Sequence, residues 1–468
     1  MLRNKLLLLH ALILIICMLP ETRADVKLPS VFGDRMVLQR NSEITIWGWA
    51  YPLEEVRVVT AWDHVEKKTM TRNDATWSLS ITTPAAGGPY EIIIKGNNTI
   101  TLKDILIGEV WLCSGQSNME WSAEDGIENG PYEIKNANFP EIRLFQVESR
   151  SADYPQLDLE GEWNKCTPEI MKKFSAVGYF FARELNEKLN IPIGIIDCSW
   201  GGTPAETWMN SMLFSEDTML SKAAKMIPDK PWCPTEPGKV YNGMIAPLVK
   251  FKIAGVIWYQ GESNTDNADY YTYIFKSLIK NWRYEWNLNL PFYYVQIAPY
   301  EYAIPEVGVK VMEAQRLCLE LPNTGMVVVN DIGNINDMHP RNKIDVGKRL
   351  ANWALAKTYN IEGITYSGPL YKGKEIKGNK MRVFFRYAEK GLVSNEHTLS
   401  YFEIAGHDKV FYRAKAFIDG NTVIAHSDKV EKPVYIRFAW SNTAEPSLFN
   451  TDSLPASCFN SFSKISHQ

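Results

Sequence analysis

The heptapeptide Gly115-Gln116-Ser117-Asn118-Met119-Glu120-Trp121 sets a serine on a glycine-flanked turn. It follows directly on the apolar run Ile107-Gly108-Glu109-Val110-Trp111-Leu112-Cys113. A strand that stops at such a turn lifts a hydroxyl out of the sheet and lets the next backbone amides face an oxyanion. Gly-x-Ser alone is a weak signal, because a polar turn after any buried strand looks the same. The deciding residue is a base, since a serine hydroxyl attacks a carbonyl only when a neighbour takes its proton. Between His64 and His397 the chain has one histidine, His339, in Asn336-Asp337-Met338-His339-Pro340. It lies just after an apolar run and just before a helical pattern, on the same kind of strand-end loop as Ser117. Asp337 and Asp331 are the carboxylates near enough in sequence to hold its Nδ1–H.

Two further turns offer oxyanion donors. Trp200-Gly201-Gly202-Thr203 follows the run ending at Cys198, and Gln260-Gly261-Glu262-Ser263-Asn264 follows Gly255-Val256-Ile257-Trp258-Tyr259. A glycine lets its amide approach a substrate closely, and Gln260 or Asn264 would supply a side-chain amide. Each turn alone reads as an ordinary strand-to-helix connection. Together, at the ends of successive strands, they describe a site.

The elements that must position these residues are legible between about 105 and 360. Apolar strands (Ile107 to Cys113, Ile191 to Cys198, Gly255 to Tyr259, Phe292 to Gln296, Gly325 to Val329) alternate with helical patterns at Phe174 to Leu185, Tyr270 to Trp286 and Asn342 to Lys357. Near-continuous apolar strands between helices predict a parallel sheet covered on both faces. Ligands bind such sheets at the carboxyl ends of the strands, where all four turns fall. The flanks, 25–104 and 361–468, read as β structure with short alternating segments and Gly, Asn and Asp turns. The C-terminal flank is expected to form a sandwich that the N-terminal segment helps complete.

Bulk properties exclude several classes. A net charge of −4 over 468 residues leaves no basic excess to neutralise phosphates, so nucleic acid is not the expected partner. The 15 Trp and 22 Tyr suit a carbohydrate-facing surface, although a large β-rich core uses the same residues. Arg3 and Lys5, the apolar Leu6 to Leu19 and Thr22-Arg23-Ala24 read as a secretory leader cleaved near Ala24, which predicts an exported protein. Ile16 before Cys17 does not fit a lipid-anchoring signal, and no later run of about twenty apolar residues predicts a membrane span. The remaining cysteines, Cys113, Cys166, Cys198, Cys233, Cys318 and Cys458, form no Cys-x-x-Cys pair, which disfavours zinc. Cys113 and Cys198, each in an apolar stretch, read as buried thiols. A single histidine in the α/β region offers too few ligands for a metallohydrolase.

These blocks resemble the SGNH hydrolase superfamily, and more closely its sialate O-acetylesterase-like carbohydrate esterases. The likeness runs through Gly108 to Trp121, Phe174 to Trp208, Tyr241 to Leu248, Ile257 to Asn264 and Asp331 to Leu355. It extends into the flanks at Leu28 to Trp49 and Glu445 to Asn450. It implies an SGNH-type (flavodoxin-like) three-layer α/β/α domain at 105–360, with β-sandwich-like segments at 25–104 and 361–468 behind the leader at 1–24. It also implies hydrolysis of acetyl esters on sugars without a metal or organic cofactor. By motif, Ser117 would be the nucleophile and His339 the base, with the Ser117 amide, Gly202 of the Gly201-Gly202 turn, and Gln260 as the oxyanion hole. Many SGNH enzymes carry aspartate three residues before the histidine, and here that position is Asn336. Asp337 is the nearest substitute, with Asp331 or an unassisted Ser–His dyad as alternatives. The expected substrate is an O-acetylated sugar, foremost a 9-O-acetylated sialic acid. Acetylated xylan, xyloglucan or pectin is the alternative, and a non-catalytic glycan-binding protein is the rival reading from another class.

Overall fold

In the computed structural model, residues 24–394, 398–445 and 447–462 are described; the expected leader, save Ala24, and His397 lie outside them. The chain is a mixed α/β structure with a central mixed sheet and additional β-sheets. Seven strands make the middle of the central sheet: β1 (Thr99–Gly115), β2 (Phe139–Gln146), β3 (Trp163–Cys166), β4 (Ile193–Ser199), β5 (Gly255–Tyr259), β6 (Phe292–Val295) and β7 (Thr324–Val327). Their order is β7-β6-β5-β1-β4-β2-β3. Every pair is parallel except the edge pair β2–β3.

The strands are buried on both faces because their alternate side chains enter two separate cores. Trp111 and Cys113 of β1 point into one, with Ile195, Ile257 and Tyr293. Val110 and Leu112 point into the other, with Ile196, Trp258 and Phe292. Helices α2 (Ala176–Leu189) and α5 (Lys343–Lys357) cover the first face, bringing Tyr179, Phe181, Leu350 and Trp353. Helices α3 (Tyr271–Trp286) and α4 (Val307–Cys318) cover the second. In α3 the buried residues Tyr271, Ile274, Phe275, Leu278, Ile279, Trp282 and Trp286 follow the helical repeat, which makes one continuous apolar stripe. Helix starts are set by side chains: Ser175 accepts from the Gly178 amide at 3.0 Å, and Asn342 accepts from the Asp345 amide at 2.9 Å. Most tryptophans serve the core, as Trp258 shows by meeting Trp208 and Trp282 edge-on at 5.9 and 5.6 Å.

Several features were not read from the sequence. β1 is 17 residues long, and its first half belongs to the N-terminal β region. That half pairs antiparallel with Gly87–Lys95, and Val37–Gln39 runs parallel to Leu106, Ile107 and Gly108. The expected boundary between residues 104 and 105 thus falls inside a single strand. The N-terminal strands Val37–Gln39, Glu55–Thr60, Glu66–Met70 and Gly87–Lys95 join the sheet of β1 and Glu43–Trp49 pairs with Thr76–Thr82 apart from it, whereas the C-terminal region builds two four-stranded sheets of its own. Strands β2 and β3 and helix α4 likewise match no element expected from the sequence. All six described cysteines are buried and free. Among the described residues, no helix is long and apolar enough to cross a membrane.

Candidate active site

The Ser117 turn is fixed to the neighbouring strand. β1 ends at Gly115, whose φ of 141° and approach to β5 leave no room for a side chain: a Cβ there would sit 2.2 Å from the Tyr259 carbonyl oxygen. The Gln116 amide donates to that same oxygen at 3.0 Å, and the Gln116 side chain accepts from the Ser263 amide at 3.2 Å. Ser117 then opens the short helix α1 (Ser117–Glu120).

His339 arrives from the loop between β7 and α5. Its Nε2 lies 2.9 Å from Ser117 Oγ, so two residues 222 positions apart in sequence meet at hydrogen-bond distance. Trp121 stacks on the imidazole, with ring centroids 4.5 Å apart and planes 21° from parallel. Burial, chiefly, and the Lys343 cation lower the His339 pKa below its ordinary 6.5, against opposing pulls from Asp337 and Asp125. The ring is therefore neutral at neutral pH, the state a general base needs.

The carboxylates behave differently from one another. Asp337 Oδ1 accepts from the His339 backbone amide at 2.9 Å, while the ring Nδ1 stands 4.0 Å from that oxygen. Asp337 therefore shapes the loop and faces the ring without a hydrogen bond to it. Asp331 is held by Arg349 through two bonds of 2.7 and 2.6 Å, so both its oxygens are engaged away from the histidine.

Of the turns expected to stabilise an oxyanion, one lies open and one is closed. Gly201 packs against Ser117, where a Cβ would come within 3.4 Å of Ser117 Cβ; its amide donates to Glu120 Oε2 at 2.7 Å. Gly202 follows at φ 80°, and no described group accepts from its amide. Lys230 Nζ donates to the Gly202 carbonyl at 3.0 Å, and the 67 % exposed Trp232 stands over the same glycine. Gln260 corrects the expectation. Its Nε2 donates to Asn264 Oδ1 at 2.7 Å and to the Thr203 carbonyl at 3.3 Å, and its Oε1 accepts from the Tyr271 hydroxyl at 2.7 Å. Both amide hydrogens are engaged inside a fully buried cluster, so none is left for a substrate. Asn264 is engaged likewise, donating to Glu206 at 2.8 Å and to Asn267 at 3.0 Å.

Sequence reasoning missed Trp121, Glu120, Trp232 and Lys343. Trp121 and Glu120 stood inside the serine heptapeptide, and Lys343 lies four residues past His339, at the start of the helix that follows its loop.

A model of the family described as carbohydrate esterase, sialic acid-specific acetylesterase, matches residues 107–356. That span holds Ser117, Gly202, Gln260 and His339. The chain belongs to this family. Its relatives include the sialate O-acetylesterase of Homo sapiens, 31 % identical over 391 residues, which cover 75 % of this chain and 74 % of that protein. The sialate O-acetylesterase of Mus musculus is 30 % identical over 416 residues, covering 74 % and 76 %. A solved carbohydrate acetylesterase from Xanthomonas citri is 36 % identical and superposes with a TM-score of 0.85, covering 93 % of this chain and 99 % of that one. The esterase is thus a carboxylic-ester hydrolase of the carbohydrate O-deacetylating type.

Proposed function

We propose that this esterase removes O-acetyl groups from sialic acids through an acyl-enzyme on Ser117, on an SGNH-type scaffold. The observation that carries the reading is the 2.9 Å approach of His339 Nε2 to Ser117 Oγ at the carboxyl ends of a parallel sheet. His339 takes the Ser117 proton as Oγ attacks the acetyl carbonyl. The Ser117 and Gly202 amides receive the negative charge that develops on the carbonyl oxygen. The sugar hydroxyl leaves with the proton from His339, and water repeats the sequence to release acetate. Asp337, 4.0 Å from Nδ1, favours the imidazolium electrostatically as it forms. A Ser–His dyad supported by Asp337 accounts for this geometry better than a hydrogen-bonded triad.

The sialate preference is supported by the relatives' names and by cations at the site. A sialic acid carries a carboxylate, and Lys230 on Gly202 and the 64 % exposed Arg341 side chain beside Asp337 offer positive charge. The leader expected at 1–24 supports an exported enzyme. A second reading, an esterase on acetylated plant polysaccharide, is favoured by the breadth of the Xanthomonas citri protein's description as a carbohydrate acetylesterase. The test is acetate release from 9-O-acetylated sialic acid and from acetylated xylan and pectin, by the native enzyme and by Ser117→Ala. Ser117→Ala is expected to lower kcat by about 10³-fold or more with KM little changed. An active Ser117→Ala enzyme would remove the nucleophile assignment, and faster turnover of xylan would replace the substrate.

A further inference from the structure

Behind Ser117 and His339 runs a chain of buried polar groups that the proposed chemistry does not use. Lys343, the first residue of α5, is fully buried. Its Nζ donates to Asn118 Oδ1 at 2.7 Å. Asn118 Nδ2 in turn donates to Glu262 Oε1 at 2.7 Å and to the Met338 carbonyl at 3.0 Å. Asn118 directly follows Ser117, and Met338 directly precedes His339, so one amide ties together the two loops that must meet. The Lys343 ammonium also lies 5.8 Å from the centre of the Trp121 ring, which stacks on His339, and 5.5 Å from that of Tyr259.

Burying an ammonium and a carboxylate costs several kcal/mol, and apolar residues of similar volume would often stabilise the fold as well or better. Glu262 Oε2 is buried with no hydrogen-bond partner among the described residues, so the network does not even satisfy its own anion. Such an arrangement needs a reason other than packing. On the reading that Ser117 and His339 are the reacting pair, we propose that Lys343 is a positioning residue. Through Asn118 it locks the Ser117 turn to the His339 loop, and it sets a positive charge behind the imidazole.

The charge has a definite consequence. Asp337 and Asp125 favour a proton on His339, Lys343 opposes it, and Trp121 contributes a neutral face. Lys343 itself is faced by Glu262 and Asp337, with Asn118, Trp121 and Tyr259 around it. Burial pushes the Lys343 ammonium down to about 7 and the Glu262 carboxyl up. Below about pH 7 Lys343 is therefore charged, which covers the range in which His339 titrates. Removing that cation raises the His339 pKa and moves the acid limb of the pH–rate profile to higher pH.

The experiment uses the full chain with Lys343→Met/Glu262→Gln, which deletes both buried charges together, and with Lys343→Gln, which keeps a donor for Asn118. Folding is checked by near-ultraviolet circular dichroism and a cooperative melt, so that one folded variant suffices. Expected for the double variant are a fall in kcat of about 10²-fold with KM within about twofold, and an acid limb moved up by roughly half a pH unit or more. For Lys343→Gln the same limb shift is expected with a smaller loss of kcat. A folded variant that keeps native kcat, or whose acid limb does not move, overturns the role of Lys343. If Ser117→Ala is inactive in the same assay, that outcome leaves the Ser117–His339 reading standing; an active Ser117→Ala enzyme sinks that reading instead.

Discussion

The turn after β4 and the turn after β5 look alike as sequence and differ as chemistry. Both follow a buried parallel strand, both contain glycine, and both stand beside the Ser117 turn. After β4, Gly201 packs on Ser117 and the Gly202 amide has no described acceptor. After β5, Gln260, Asn264, Asn267, Glu206 and Tyr271 engage one another in a buried cluster. The difference teaches that a donor's type and place are not enough. What matters is whether its hydrogens are already engaged, because a buried amide that gives up an internal partner to bind an oxyanion gains little. The closed turn buttresses the open one instead: the Thr203 carbonyl and the Ala205 amide, just past Gly202, bond to Gln260 and Asn264.

The comparison can be broken at the open turn first. Gly202→Ala puts a Cβ 2.8 Å from Trp232 Nε1 at φ 80°, a conformation that L residues rarely adopt. We expect kcat on an acetyl ester to fall by about 10²-fold while the protein still folds, as measured by steady-state kinetics beside a thermal melt. An unchanged kcat would take Gly202 out of the oxyanion hole.

At the closed turn the opposite balance is expected. Gln260→Ala removes one of the two donors to Asn264 Oδ1, the bond to the Thr203 carbonyl and the shorter of the Tyr271 hydroxyl's two bonds, so stability in a urea titration should drop by about 1–3 kcal/mol. The kcat of the folded fraction should drop less than in Gly202→Ala. Native stability with a 10²-fold kcat defect would restore Gln260 as a donor to the oxyanion.

The smallest effect concerns Asp197, which lies in β4 beneath the open turn and accepts from Ser199 Oγ at 2.6 Å. Complete burial raises its carboxyl from 3.8 to about 7. The folded state therefore prefers the protonated acid, and the stability this gives is present below about pH 4 and lost as pH rises to about 7. Asp197→Asn should leave the melting temperature nearly unchanged at pH 4 and raise it by a few degrees at pH 8. A melting temperature that falls at pH 8 would mean that the ionised form holds the turn.

Much of this molecule was legible because its signals are local. Runs such as Gly255–Tyr259, short, apolar and bounded by turn residues, read as strands covered on both faces, and all five residues of this one are buried. The stripe of α3 marks a helix by its repeat alone. The pairing of Ser117 with His339 was legible for a different reason, scarcity: a region with one histidine leaves one choice of base. Helix α4 was not legible, and its buried face includes the polar residues Glu313, Gln315 and Arg316, which blur an apolar stripe. The join at residues 104 and 105 was hidden because the alternating half of β1 gives way at Lys103-Asp104 to a continuously buried run, a change of pattern that reads as a boundary although the strand itself runs on.

By itself the sequence determined an α/β core with a serine turn and a loop histidine at strand ends, because periodicity and residue type are properties of the chain. Tertiary structure alone decided which polar groups are free to act. It closed Gln260 into a cluster, turned Asp331 to Arg349, set Asp337 at 4.0 Å from the ring and buried Lys343 behind it. A hydrogen bond excludes its donor from other work only when the partner is in place, and those partners come from segments up to 225 residues apart.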